Sequence, residues 1–317
     1  MQPGDVISSE SLLRYVVCWK KGDVHDRTVR PLHAAAARSD KHAVHFIHGL
    51  MGHDVNIRDS RQRTPLHYAA IVTNSQNIRA LWKLGADVDA VDHKGRTPMY
   101  FAVKKGARRV IELLVCLNSR APSMRTNKGR TLLMCLQKSQ YASSSELFQL
   151  VHGLSPDTID AVDKRGWTAL HHGLTTSDAK IVKLFHDAGS KALEVKDVQG
   201  ITPMHVAATY GCISAIRELY KCGCDLDVQC NNGGATPMHY ATFQRFPVSR
   251  RVFETLIELG SRAYWMPCNH GNTPRDLLDD EAAQMDEFIA SRSVLETLRM
   301  AAIIHRQPKT CRRLAAE

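Results

Sequence analysis

The sequence predicts an all-α solenoid of stacked helix–turn–helix units joined by short β-turn or hairpin links. Three observations predict it. One short phrase recurs along the chain at nearly constant spacing. Each copy opens two segments of helical periodicity, the second ending at a glycine. The core-forming residues are aliphatic, since hydrophobic residues are 44% of the 317 but aromatics only 6%, a balance that suits helix stacking better than an aromatic-rich sandwich.

The phrase reads Thr64-Pro-Leu-His67, Thr97-Pro-Met-Tyr100, Thr168-Ala-Leu-His171, Thr202-Pro-Met-His205 and Thr236-Pro-Met-His239. Weaker copies are Arg30-Pro-Leu-His33, Thr131-Leu-Leu-Met134 and Thr273-Pro-Arg-Asp276. From Arg30 onward the steps are 34, 33, 34, 37, 34, 34 and 37 residues. A fixed period in this range is the signature of a repeat array, in which each unit buries its apolar stripe only against its neighbours.

Each element follows from local chemistry. A polar turn such as Asp92-His-Lys-Gly95 or Asp163-Lys-Arg-Gly166 precedes the phrase, and its glycine admits positive φ. Threonine then caps the first helix by accepting from its free N–H groups, and proline takes the first helical position, where its missing N–H costs nothing. Small residues follow, as in Ala69-Ala70 and Ala207-Ala208, letting helices approach closely. The second helix carries an apolar i, i+3, i+4 pattern: Ile78/Leu81/Trp82, Ile181/Leu184/Phe185, Ile216/Leu219/Tyr220 and Phe253/Leu256/Ile257. Gly85, Gly189, Gly223 and Gly260 supply its left-handed terminus, and an acidic link such as Ala86-Asp-Val-Asp89 leads onward.

These residues closely resemble the ankyrin-repeat family, whose unit is a β-turn and two helices of about 33 residues. The resemblance covers roughly 26–292 and implies eight repeats, near 26–58, 59–91, 92–125, 126–162, 163–196, 197–230, 231–268 and 269–292. Residues 1–25 read as an N-terminal capping helix, and 293–317 as a C-terminal capping helix with a basic tail. The resemblance also assigns His33, His67, His171, His205 and His239 a structural role, bonding backbone between repeats. It implies a concave, rigid surface of hairpin tips and first helices that binds a folded protein.

Departures from the pattern mark candidate contact residues. Repeat seven holds three extra residues between its helices, giving the loop Thr242–Arg251 with Phe243, Arg245, Phe246, Arg250 and Arg251. Aromatic and arginine side chains are the usual anchors of interfaces. Lys104, Lys105, Arg108 and Arg109 form a basic cluster where the helices of repeat three connect. Repeat four is the most degenerate, with the Ser-rich insert Gln140–Ser145. Asn56 sits at the link position that asparaginyl hydroxylases modify in ankyrin proteins; its turn chemistry is the plainer reading. The tail Pro308–Arg312 is faintly similar to a suppressor-of-cytokine-signalling box, without that box's leucine framework.

The net charge of +10 is uneven: 22 Lys and Arg stand against 11 Asp and Glu through Arg130, and 20 against 21 beyond it. An acidic partner is therefore expected on the first part of the chain. Nucleic acid is the alternative, disfavoured because no recognised module is present and aromatics are not interleaved with the basic cluster.

No catalytic residue, cofactor site or metal site is expected. The cysteine run Cys222-Gly-Cys224…Cys230 fits no common zinc spacing, and His42, His45 and His48 fall on the wet face of a helix beside Val44 and Ile47. Cys18, Cys116 and Cys135 read as packed thiols. No apolar run approaches the roughly 18 residues of a membrane span, and no secretory signal is evident. The expectation is an intracellular, monomeric, non-catalytic adaptor, cytoplasmic or nuclear, with a substrate receptor or regulatory subunit of a larger enzyme complex as a further alternative.

Overall fold

The computed structural model describes residues 31–38, 41–52, 54–142, 144–176, 179–242 and 248–292. The proposed terminal caps, 1–25 and 293–317, lie outside them. The chain divides into two compact units, one of residues through Thr176 with Lys180–Val195, the other of Lys196 onward with Ser177–Ala179.

The first unit contains, among the described residues, five pairs of helices: Pro31–Ala36 with Lys41–Met51, Pro65–Ile71 with Ser75–Lys83, Pro98–Lys104 with Arg108–Cys116, Leu132–Gln137 with Ser145–Leu154, and Ala169–Leu174 with Lys180–Asp187. The second contains Pro203–Thr209 with Ile213–Lys221 and Pro237–Ala241 with Val248–Glu258. It continues through a 3-10 turn, Asp276–Glu281, into a helix over 282–292. First helices of five to seven residues are far too short to persist alone. Contact with their own second helix and with the first helices on either side holds them within each unit.

The caps form as the phrase predicts. The Thr168 backbone N–H donates to His171 Nδ1 at 3.2 Å, and the Thr168 hydroxyl accepts from the His171 N–H at 3.4 Å. Thr64, Thr202 and Thr236 make the same reciprocal box. With Nδ1 accepting, Nε2 carries the proton and reaches the next repeat: His33 to the Arg63 carbonyl (2.9 Å), His67 to Arg96 (3.0 Å), His205 to Ala235 and His239 to Asn272 (both 3.1 Å). Each ring thus bolts one repeat to the next. Burial pushes the His67 ring down to about 4 against its bond to Arg96.

The second helices bury a stripe one residue away from part of the predicted one. Ile78, Leu81, Ile216, Leu219, Phe253 and Leu256 are fully buried, but Trp82 and Tyr220 remain 45% and 44% exposed. In repeat five Ile181, Val182 and Phe185 are buried, whereas Leu184 is not. Counting back from the terminal glycine explains this, because Phe185 stands as far before Gly189 as Leu81 before Gly85. Those glycines adopt φ of 69° and 90°, as a left-handed helix end requires. His42 and His45 are exposed beside buried Val44 and Ile47, as expected. Cys135, Cys224 and Cys230 are packed thiols, but Cys116 is exposed, at the last turn of its helix.

Candidate protein-binding surface

Within the first unit the turns before the phrase form a ladder of hairpin tips. Each tip closes on itself, Asp59 N–H to the Arg63 carbonyl and Asp92 N–H to that of Arg96, both 3.0 Å. Each is then tied to the next: His93 N–H to Arg61, Asn127 N–H to Lys94, and Lys164 N–H to Lys128, all 3.0 Å. Gly95 must be glycine, for its φ is 72° and an added Cβ would collide with Asn127.

The tip acids are spent inside this scaffold. Asp59 accepts from the N–H groups of Arg61 and Arg63 and from the Tyr68 hydroxyl, the last at 2.7 Å. Asp92 binds the Lys94 and Arg96 N–H groups and the Arg96 guanidinium, at 2.6 Å from Nη2. Burial opposes ionisation of Asp92, but the Arg96 guanidinium and these N–H groups outweigh it and hold the carboxyl below its ordinary range. Asp163 is held down likewise against burial by the Arg165 N–H, His172 and the Trp167 N–H. Link acids are consumed too: Asp89 takes the Ser119 hydroxyl (2.6 Å) and Arg120 N–H, and Asp160 takes the Ser190 hydroxyl (2.6 Å) and Ala192 N–H.

What remains exposed is basic. Arg61, Lys94, Lys128 and Arg165 occupy the same position of four successive tips. All four are exposed, and none pairs with a carboxylate among the described residues. One step inward, Arg63 and Arg96 lie over the Phe101 ring (5.1 and 4.9 Å); in the tip row itself Arg165 lies over Trp167 (5.2 Å). Lys138, at the end of the first helix of repeat four, is lowered by partial burial and then by Arg130, with Arg165 and Lys128 adding to it and Asp163 opposing.

The residues singled out from sequence fare unequally. Lys104 and Lys105 are exposed at the end of the first helix of repeat three. Arg108 is neutralised on the outer side by Glu112 (2.8 Å) and Glu146 (3.8 Å), while Arg109 is exposed. Arg250 and Arg251 belong to the helix Val248–Glu258 and not to a loop. Arg250 bonds Glu254 (2.8 Å) and Gln284 (3.1 Å), and Arg251 is exposed. Phe243, Arg245 and Phe246 lie outside the described residues. The Ser-rich insert ends as a helix cap, Ser144 accepting from the Leu147 N–H. Asn56 bridges repeats, donating to the Gly85 carbonyl (3.3 Å) and accepting from the Asp87 N–H (2.8 Å). The tip row Arg61, Lys94, Lys128 and Arg165 was overlooked, although its signal is plain: a cation two residues before the residue that precedes each capping threonine.

In the second unit the corresponding tips carry Gln199, Gly233 and His270 in place of lysine or arginine. They border a groove of 440 Å³ with Tyr240 and Leu277. No group of three or more His, Cys, Asp or Glu among the described residues is placed to hold a metal. No helix among them is long and apolar enough to cross a membrane.

Comparison with known proteins now bears directly on this architecture. The family model for ankyrin repeats, built as three copies, matches residues 32–126, 137–230 and 176–266. The chain belongs to the ankyrin-repeat family. Repeats of this family generally mediate protein–protein interaction. This ankyrin-repeat chain is 32% identical over 142 residues to inversin of Canis lupus familiaris, across 44% of its own length and 13% of inversin. Its fold is similar to a chain in the solved structure of the Bd0816 predatory endopeptidase from Bdellovibrio bacteriovorus in complex with immunity protein Bd3460. That likeness has 22% identity and a TM-score of 0.54, covering 62% of this chain and 99% of that one; it bears on fold alone.

Proposed function

We propose that the chain is a non-catalytic adaptor of eight repeats that binds an acidic protein through the hairpin tips and first helices of its first unit. The observation that supports this reading most is the imbalance on that face. Its acids are bonded to backbone and neighbouring side chains, whereas Arg61, Lys94, Lys128 and Arg165 are exposed and pair with no carboxylate among the described residues. A scaffold locked by inter-repeat bonds loses little freedom on binding, so modest contacts suffice. Lys104, exposed at the end of the first helix of repeat three, is proposed as a further contact, while Arg108 is set aside because two glutamates neutralise it. Arg251, with Phe243, Arg245 and Phe246, is proposed as a second contact on repeat seven. A regulatory or substrate-receptor role is the same reading with an enzyme as the partner.

The test is affinity purification with the intact chain beside a variant carrying Glu at positions 61, 94, 128 and 165. A stoichiometric partner held by the natural chain and lost by the variant is expected. Equal recovery by both would remove this face from the function.

A further inference from the structure

We infer that the partner offers an extended acidic segment with a carboxylate at about every third residue, lying across the tips of Arg61, Lys94, Lys128 and Arg165. This rests on the acidic-partner reading above and adds the geometry of the bound segment.

The register comes from how the tips are joined. Each tip is a two-stranded turn, and each is hydrogen-bonded to the next through equivalent backbone groups at 3.0 Å. Two strand spacings make one repeat, so equivalent side chains recur at about 10 Å; packed helices at about 8–10 Å agree. A peptide in the extended polyproline II conformation advances about 3.1 Å per residue and completes a turn every three, so three residues match one repeat and every third side chain shares a face. Side chains spaced by two or four residues fall out of step by about 3 Å at each repeat and turn to another face. The cations are held to this spacing at their backbones, because Arg61, Lys94 and Lys128 are the residues whose carbonyls make the inter-tip bonds.

The cationic row stops after Arg165 on chemical grounds. In the two repeats that follow in sequence the equivalent residues are Gln199 and Gly233, which attract no carboxylate. A segment of about ten residues therefore spans the four cations. The inner guanidiniums of Arg63, Arg96 and Arg130 are partly covered and lie near Asp92 or Asp163. They keep the tip row positive without competing for the same carboxylates.

The experiment uses the full chain and two labelled peptides of identical composition, one with four Glu at every third position and one with the four Glu contiguous. Fluorescence anisotropy is read at low and at physiological ionic strength. The spaced peptide is expected to bind at least about fivefold tighter, with binding that weakens as salt rises. Lys94→Ala and Lys128→Ala each cost about 1.5- to 5-fold, the range of one exposed ion pair, while Lys83→Ala, on a second helix, leaves binding unchanged. Equal affinity for both peptides would overturn the register and leave the acidic-partner reading standing. Binding of neither, even at low salt, would overturn both. A single-stranded oligothymidylate that outcompetes the spaced peptide would place a nucleic acid on the row instead.

Discussion

Acid should loosen the first unit well above the pH at which its carboxylates protonate. His67 and His172 are both fully buried. Burial pushes the His67 ring down to about 4, and burial with nearby Lys138 pushes His172 to about 4 although Asp163 opposes it. In the unfolded chain each titrates near 6.5. A depressed folded value means the unfolded state binds the proton first, so the stability contributed is fully present above about pH 6.5 and is lost as pH falls toward 4. The full shift corresponds to about 3 kcal/mol per ring, and about 2 kcal/mol of it is gone by pH 5. Two rings together make a loss of about 4 kcal/mol, a large part of a typical stability of about 5–15 kcal/mol. Asp92 and Asp163, whose carboxyls are held low, contribute stability that fails only further down, below the unfolded carboxylate range near pH 4. The assay is urea unfolding at pH 7 and pH 5, followed by the fluorescence of Trp82 and Trp167. His172→Gln, which can still donate to Asp163, should remove about half of the difference. Unchanged stability between pH 7 and pH 5, or an increase, would refute the reasoning.

Gln137 is fully buried in repeat four with neither amide atom hydrogen-bonded; Gln137→Met should stabilise the protein by about 1–3 kcal/mol in chemical unfolding, because an unpaired buried amide is costly. Gly95→Ala should destabilise by at least about 1 kcal/mol, since it meets both a positive φ and Asn127. Leu81→Ala and Leu219→Ala should each cost about 2–5 kcal/mol, whereas the less buried Leu184→Ala should cost clearly less; equal losses at all three would contradict the observed register.

Much of the architecture was legible because each repeat states its own caps. The threonines, the histidines and the terminal glycines each do one local job that fixes one backbone conformation, and the structure places them where the phrase predicts. Repeat five was misread by one residue because Ile181-Val-Lys-Leu-Phe185 satisfies two helical registers; only the distance to Gly189 chooses between them. The candidate surface was harder to read, for a physical reason. Charge counted along the chain treats Asp59, Asp89, Asp92, Asp160 and Asp163 as exposed, yet each is spent on N–H groups or side chains of its own or the next repeat. Arg108 shows the converse, a cation in a conspicuous cluster that neighbouring glutamates neutralise. Pairing across repeats about 30 residues apart decides which charges face a partner, and composition does not carry that information.

A charge swap interrogates the electrostatic ladder at its root. The variant with Glu at 61, 94, 128 and 165 should lose the spaced Glu peptide and gain its Lys counterpart, with affinity for that counterpart again falling as salt rises. A folded variant that binds neither peptide, or one that still holds the Glu peptide, would contradict the assignment of recognition to this row.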